Sequence, residues 1–188
     1  MNNEPAALNP ADQTPGFSAA HCIAQIVDGP KGAGLIFKGR TLHSSDDPWA
    51  EAAGWLDRAP RYLSDRAPGL AAVFGLGLGY HLKMLRRLYP DLRLLIYEPA
   101  PEMTDLYQAR PALGPEDGES PFIFSDPEEF KRAVSREIVY GRDQGLIVVT
   151  AESYRDLDPE GCEAFNRYLR QEIMRRAVID RTREHTGP

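Results

Sequence analysis

The stretch that decides the fold is Leu70-Ala-Ala-Val-Phe-Gly-Leu-Gly-Leu-Gly-Tyr-His81, followed after one helical pattern by Leu92 through Tyr97-Glu98-Pro99. An apolar run, Leu70 to Phe74, breaks into three alternating glycines, Gly75, Gly77 and Gly79. Leu82, Leu85 and Leu88 then recur at helical spacing until Tyr89-Pro90, and a second apolar run closes on Glu98. Strand, glycine turn, helix, strand and acid is the layout of a nucleotide-binding βαβ unit. Glycines serve where a chain turns tightly and where a ligand must approach the backbone. The helix start offers free N–H groups and a partial positive charge to a phosphate or carboxylate. Gly75, Gly77, Gly79, Tyr80 and His81 are therefore the candidate ligand-binding residues, with Glu98 placed to accept hydrogen bonds from ribose hydroxyls.

The spacing is Gly-x-Gly-x-Gly rather than Gly-x-Gly-x-x-Gly. That is closer to S-adenosylmethionine-dependent methyltransferases than to dinucleotide dehydrogenases. Methyltransferases usually carry an acid just before the first glycine, where this chain has Phe74. Two readings stay open: the turn holds a nucleotide or an S-adenosylmethionine-like ligand, or the glycines only permit tight strand–helix packing. His81 is open in the same way, between a crevice-facing group and a helix-start histidine bonded to a loop carbonyl. Glu98 stands between a ligand contact and a solvated strand end.

Working outward, alternating strand and helix patterns predict a parallel sheet. After Glu98 come a helix with Met103, Leu106 and Tyr107, stopped at Arg110-Pro111, and a loop to Ser120. A strand over Pro121–Phe124 follows, then a helix presenting Phe130, Ala133 and Val134, and a strand over Gly145–Thr150. The last strand is apolar throughout, as burial on both faces requires. A final helix from Pro159 carries Phe165, Tyr168, Leu169, Ile173 and Ala177 on one face and Arg167, Arg170, Arg175 and Arg176 on the other. Asp47-Pro48, Asp126-Pro127 and Asp158-Pro159 each mark a helix start, an acceptor side chain followed by proline at the first helical position. The first of these helices is expected to pack through Trp49, Ala52, Ala53 and Leu56.

On the N-terminal side, residues 1–18 are expected to be disordered. His21–Val27 and Gly34–Lys38 flank a turn signal, Asp28-Gly-Pro-Lys-Gly32, and predict a β-hairpin. The expected fold class is α/β: a Rossmann-like parallel sheet, strand order 3-2-1-4, helices on both faces and a small N-terminal β-hairpin subdomain. The expected domains are 19–68 for that subdomain and 69–188 for the Rossmann-like one. The ligand crevice is expected at the carboxyl ends of strands 1 and 4. Four strands are about half a doubly wound sheet, so the chain reads as a fragment of a longer protein. An apolar surface is then expected near the final helix and the sheet edge after strand 4, and with it a homodimer.

A net charge of −6 argues against a general nucleic-acid binder. No apolar run approaches the length of a membrane span, and no signal-peptide core is present. Cys22 and Cys162 make neither a disulfide framework nor metal spacing, which places the chain in the cytoplasm with no metal expected. His43, Ser44 and Asp46 have the residue types of a hydrolytic triad, yet sequence neighbours seldom converge on one point. They read instead as capping of the Pro48 helix. Glu152-Ser153-Tyr154 follows the last strand where methyltransferases place catalytic groups, but lacks the Asp/Asn-Pro-Pro-Tyr pattern of the amino-methylating members. No catalytic residue is assigned.

Thr41-Leu-His-Ser44, Asp47-Pro48, Glu51-Ala52, the Gly-Leu-Gly-Tyr-His81-Leu82 turn and Ile96-Tyr-Glu-Pro99, in that order, resemble the N-terminal region of bacterial motility accessory factor proteins. The resemblance spans roughly 34–182. It implies a parent protein that transfers nonulosonic sugars from CMP-activated donors to Ser and Thr of flagellin. The transferase chemistry is implied to lie in a separate central domain, which would follow this one. This chain would then be a Rossmann-like accessory domain, non-catalytic by itself, partnered by that catalytic domain. The resemblance carries no catalytic residue onto it.

Overall fold

The computed structural model describes residues 24–63, 67–109, 120–139 and 144–185, the last with side chains to residue 182. The 1–18 tail, Cys22, the stop at Arg110-Pro111 and most of the loop before Ser120 lie outside the described residues.

A three-stranded antiparallel sheet comes first, β1 (Ala24–Gly29), β2 (Gly32–Phe37) and β3 (Arg40–His43), in that order. The first two strands form the expected hairpin. β3 was not expected: four residues with two exposed and two buried give too short a pattern to read as a strand. Helix α1 (Pro48–Asp57) follows, its cap Asp47 accepting from the Ala50 N–H at 3.0 Å.

The second sheet has five strands: β4 (Arg61–Tyr62), β5 (Pro68–Phe74), β6 (Arg93–Tyr97), β7 (Phe122–Phe124) and β8 (Gly145–Thr150), ordered β4-β8-β5-β6-β7. β8, β5, β6 and β7 are parallel, and β4 runs antiparallel along β8. The edge beyond β8, expected to be bare, is thus taken by a two-residue strand.

Helices α2 (Tyr80–Leu88), α3 (Pro101–Gln108), α4 (Pro127–Val139), α5 (Glu152–Leu157) and α6 (Pro159–His185) complete the chain. Asp126 accepts from the Glu128 and Glu129 N–H groups and Asp158 from that of Gly161, so all three Asp-Pro caps form.

Side chains alternate across the sheet, as the pleat requires. Ala72, Phe74, Leu95 and Val148 share a core with Phe130 and Val134 of α4, Tyr154 of α5 and Phe165 and Leu169 of α6. Ala71, Val73, Ile96 and Val149 pack on Leu82 and Leu85 of α2. Leu35, Phe37 and Leu42 join the first core, so the two sheets share buried apolar contacts.

Three details depart from the helix patterns. Trp55, not Trp49, is the buried tryptophan of α1. Leu88 points outward, 59% exposed, at the last position of α2. Arg176, placed on the solvated face of the last helix, is buried: it donates to the Ile138 carbonyl at 3.1 Å and pairs with Asp180 at 2.8 Å. A buried guanidinium needs such partners to offset its desolvation. Met174 and Val178 stand exposed on α6.

Candidate functional site

The glycine turn lies at the carboxyl end of β5, and its conformation explains its composition. Gly75, Gly77 and Gly79 all have positive φ, at 91°, 49° and 79°. Residues with a Cβ rarely adopt that region, so three glycines within five residues are a backbone requirement before any ligand is considered. Gly79 is the left-handed cap of α2, and its carbonyl accepts from the Leu82 and Lys83 N–H groups.

The turn is filled by the protein's own side chains. Tyr154, from the short helix after β8, lies against Gly75 so closely that a Cβ there would meet its ring at 2.6 Å. A Cβ on Gly77 would run into Nε2 of His43. The expected crevice between the ends of β5 and β8 is therefore occupied, and the whole run from Ala71 to Leu82 is buried.

The turn's donors are also used internally. Gly75 N–H donates to the Tyr97 carbonyl at 2.9 Å and Gly79 N–H to that of Leu76 at 3.0 Å. Leu76 N–H donates to Glu98 Oε2 at 2.7 Å, and Gly77 N–H to the Tyr154 hydroxyl at 3.1 Å. That hydroxyl passes its own proton toward Glu98 Oε2 at 2.6 Å, while Ala100 N–H donates to Oε1 at 2.9 Å.

Glu98 is thus neither a solvated strand end nor open to a ribose: it is 0% exposed and accepts three hydrogen bonds from the protein. Burial pushes its carboxyl above the usual carboxylate range, and the three donors pull it partly back. Burial first, and then the Glu98 carboxylate, holds the Tyr154 phenol well above its ordinary value, so Tyr154 remains a donor.

His81 takes the loop-carbonyl alternative. Its Nε2 lies 3.1 Å from the Gly75 carbonyl, which can only accept, so Nε2 carries the proton. Tyr80 faces the three-stranded sheet instead, its hydroxyl accepting from Ala33 N–H at 2.8 Å and donating to Ala33 O at 2.9 Å. One residue fastens the hairpin to the start of α2.

His43 is not part of a helix cap. It is buried among Trp55, Tyr80 and His81, and neither ring nitrogen has a hydrogen-bond partner. Burial, with a smaller contribution from His81, pushes it down to about 3; burial pushes His81 down to about 4. Both rings are neutral at pH 7, so the 3.9 Å approach of Glu51 to His43 is a contact between a carboxylate and a neutral ring, not a salt bridge.

The structure brings Gly75, Gly77, His81 and Glu98 to one place and adds His43 and Tyr154, two of the candidates that sequence reasoning assigned elsewhere. Among the described residues, no group of three or more His, Cys, Asp or Glu is placed to hold a metal, and no helix is long and apolar enough to cross a membrane. No family model matches the chain, and neither curated proteins nor solved structures give a match. Fold and site define a mixed α/β protein with a mostly parallel five-stranded sheet and a self-filled glycine turn.

Proposed function

We propose that this chain is a non-catalytic accessory domain of Rossmann-like class whose glycine turn is a packing joint rather than a ligand cradle. On the resemblance, it serves a motility-associated glycosyltransferase that modifies flagellin, the transfer step belonging to a separate catalytic domain. One observation carries the non-binding reading: the Tyr154 hydroxyl sits inside the turn, accepting from Gly77 and donating to Glu98. A nucleotide or S-adenosylmethionine would need those same groups, and would have to expel a buried aromatic ring to reach them.

Titration calorimetry with S-adenosylmethionine, CMP and a CMP-sugar is expected to give no binding heat. Heat with S-adenosylmethionine alone would favour a methyltransferase-like domain, and heat with a CMP species a nucleotide site; either overturns the packing reading. Glu98→Gln supplies the complementary measurement. An amide has one acceptor oxygen, so its NH2 must face either the Ala100 or the Leu76 N–H, donor against donor. The loss should appear in urea unfolding as roughly 1–3 kcal/mol. Unchanged stability would mean that Glu98 is not the keystone of the turn.

A further inference from the structure

The accessible space at this end of the sheet lies one step away from the glycine turn, beside β8. A cleft of about 50 Å³ opens there between the end of α1, the last residues of β8, helix α5 and the second turn of α6. Trp55 forms its apolar wall, and Arg58, Thr150, Glu152, Arg155 and Asn166 bring polar groups to it. The space exceeds the roughly 10–15 Å³ that a single water needs, and it opens to solvent.

The lining is cationic on balance, with two guanidinium groups against one carboxylate. Arg58 holds Glu152 at 2.8 Å. Arg155 has no ion-pair partner among the described residues. One neutral donor stands beside them, the Thr150 hydroxyl. Asn166 Nδ2 is fixed by the Cys162 carbonyl at 2.8 Å and reaches Thr150 Oγ1 at 3.4 Å, leaving the Thr150 proton to donate elsewhere. Guanidinium groups and a hydroxyl are the donor types that phosphate oxygens accept from.

We propose that this cleft binds a phosphoryl group, with Arg58 and Arg155 as its charged clamps and the Thr150 hydroxyl, oriented by Asn166, as the neutral donor. Glu152 opposes the ligand by competing for Arg58. The remainder of a phosphomonoester would project through the open mouth into solvent. Both clamps are exposed to water, so the affinity is on the order of millimolar. The site shares no residue with the glycine turn, and its failure would leave the packing reading untouched.

Trp55 is a built-in probe. In a Trp49→Phe background, which keeps an aromatic ring against Tyr80, its fluorescence can be followed during titration at constant ionic strength, with its indole N–H resonance as a second readout. Inorganic phosphate is expected to give a saturable change, weakened roughly fivefold by Arg155→Gln and tightened by a similar factor by Glu152→Gln. A sugar phosphate and a nucleoside monophosphate then separate the sources. A monoester that binds tighter than the free ion assigns an esterified ligand, and equal binding assigns the phosphate itself. No saturable change with any of them, an equal response to chloride, or weaker binding in Glu152→Gln would overturn the proposal.

Discussion

The carboxyl ends of β5 and β8 lie side by side in the same sheet, yet they are built on opposite principles. At β5 the backbone turns through three left-handed glycines, and every space beside Gly75 and Gly77 is taken by a ring from another part of the chain. Glu98, His43 and His81 there are 0–1% exposed. At β8 the strand ends in Thr150, and its neighbours Arg58 and Glu152 have side chains 60% and 50% exposed. The end that carries a recognisable nucleotide-type pattern is buried and filled by the chain's own side chains; the end without any pattern is charged and open. A motif records what the backbone must do, and left-handed glycines are needed whether a ligand or a tyrosine fills the turn.

Acid should break this contrast first, because only the closed region hides titratable bases. The native pKa values of His43 and His81, about 3 and about 4, lie below the ordinary 6.5 of an unfolded chain. Their contribution to stability is therefore complete above pH 6.5 and is lost as pH falls toward the native values, where the unfolded chain binds protons that the native one refuses. By pH 5 each should have cost about 2 kcal/mol. Glu98 works the other way near pH 4.5: its raised native value favours proton uptake by the folded state, so it offsets part of the loss. Urea midpoints at pH 7 and pH 5, repeated on His43→Phe, measure the slope. Equal stability at the two pH values would mean that the histidines are hydrated.

Adding a methyl group sharpens the comparison next. Gly77→Ala meets two penalties, a left-handed φ and the ring of His43, and should cost roughly 2–4 kcal/mol. Gly39 has a similarly positive φ of 75° with nothing within 4 Å of an added Cβ. Gly39→Ala should cost only the backbone part, about 1–2 kcal/mol. The difference between the two, read by chemical denaturation, isolates the packing of His43 in the turn. Equal losses would show that the ring gives way freely.

The readable parts of the sequence were those set by local rules. Asp-Pro caps, the turn between β1 and β2, and the continuous apolar runs of β5 and β8 each follow from neighbours a few residues apart. The site was harder, because its decisive contacts are long-range. Nothing near Glu98 reveals that Tyr154, 56 positions later, donates to it. Nothing near Gly77 reveals that His43 lies against it. A buried carboxylate and a solvated one carry the same letter, and only the partner decides which is present. Tyr154 did carry one signal: in Glu152-Ser-Tyr-Arg-Asp-Leu157 it is the one aromatic residue of a short polar stretch that directly follows a core strand.

The smallest predicted effect tests that last point with a matched pair. Glu152→Gln is the same chemical change as Glu98→Gln, made at the neighbouring strand end. Glu152 meets Arg58 at 2.8 Å, but both side chains are largely in water, where the Coulomb gain is screened and holding two long side chains costs entropy. Glu152 keeps half of its side chain in water, and the amide left behind still hydrates. Glu152→Gln should therefore change stability by less than about 0.5 kcal/mol, against roughly 1–3 kcal/mol for Glu98→Gln. Raising the salt concentration should shrink the Glu152 effect further and leave the Glu98 effect in place, since ions do not reach a side chain with no exposed surface. If the two substitutions cost the same in urea unfolding at low and high salt, the two strand ends are not the opposites that their burial implies.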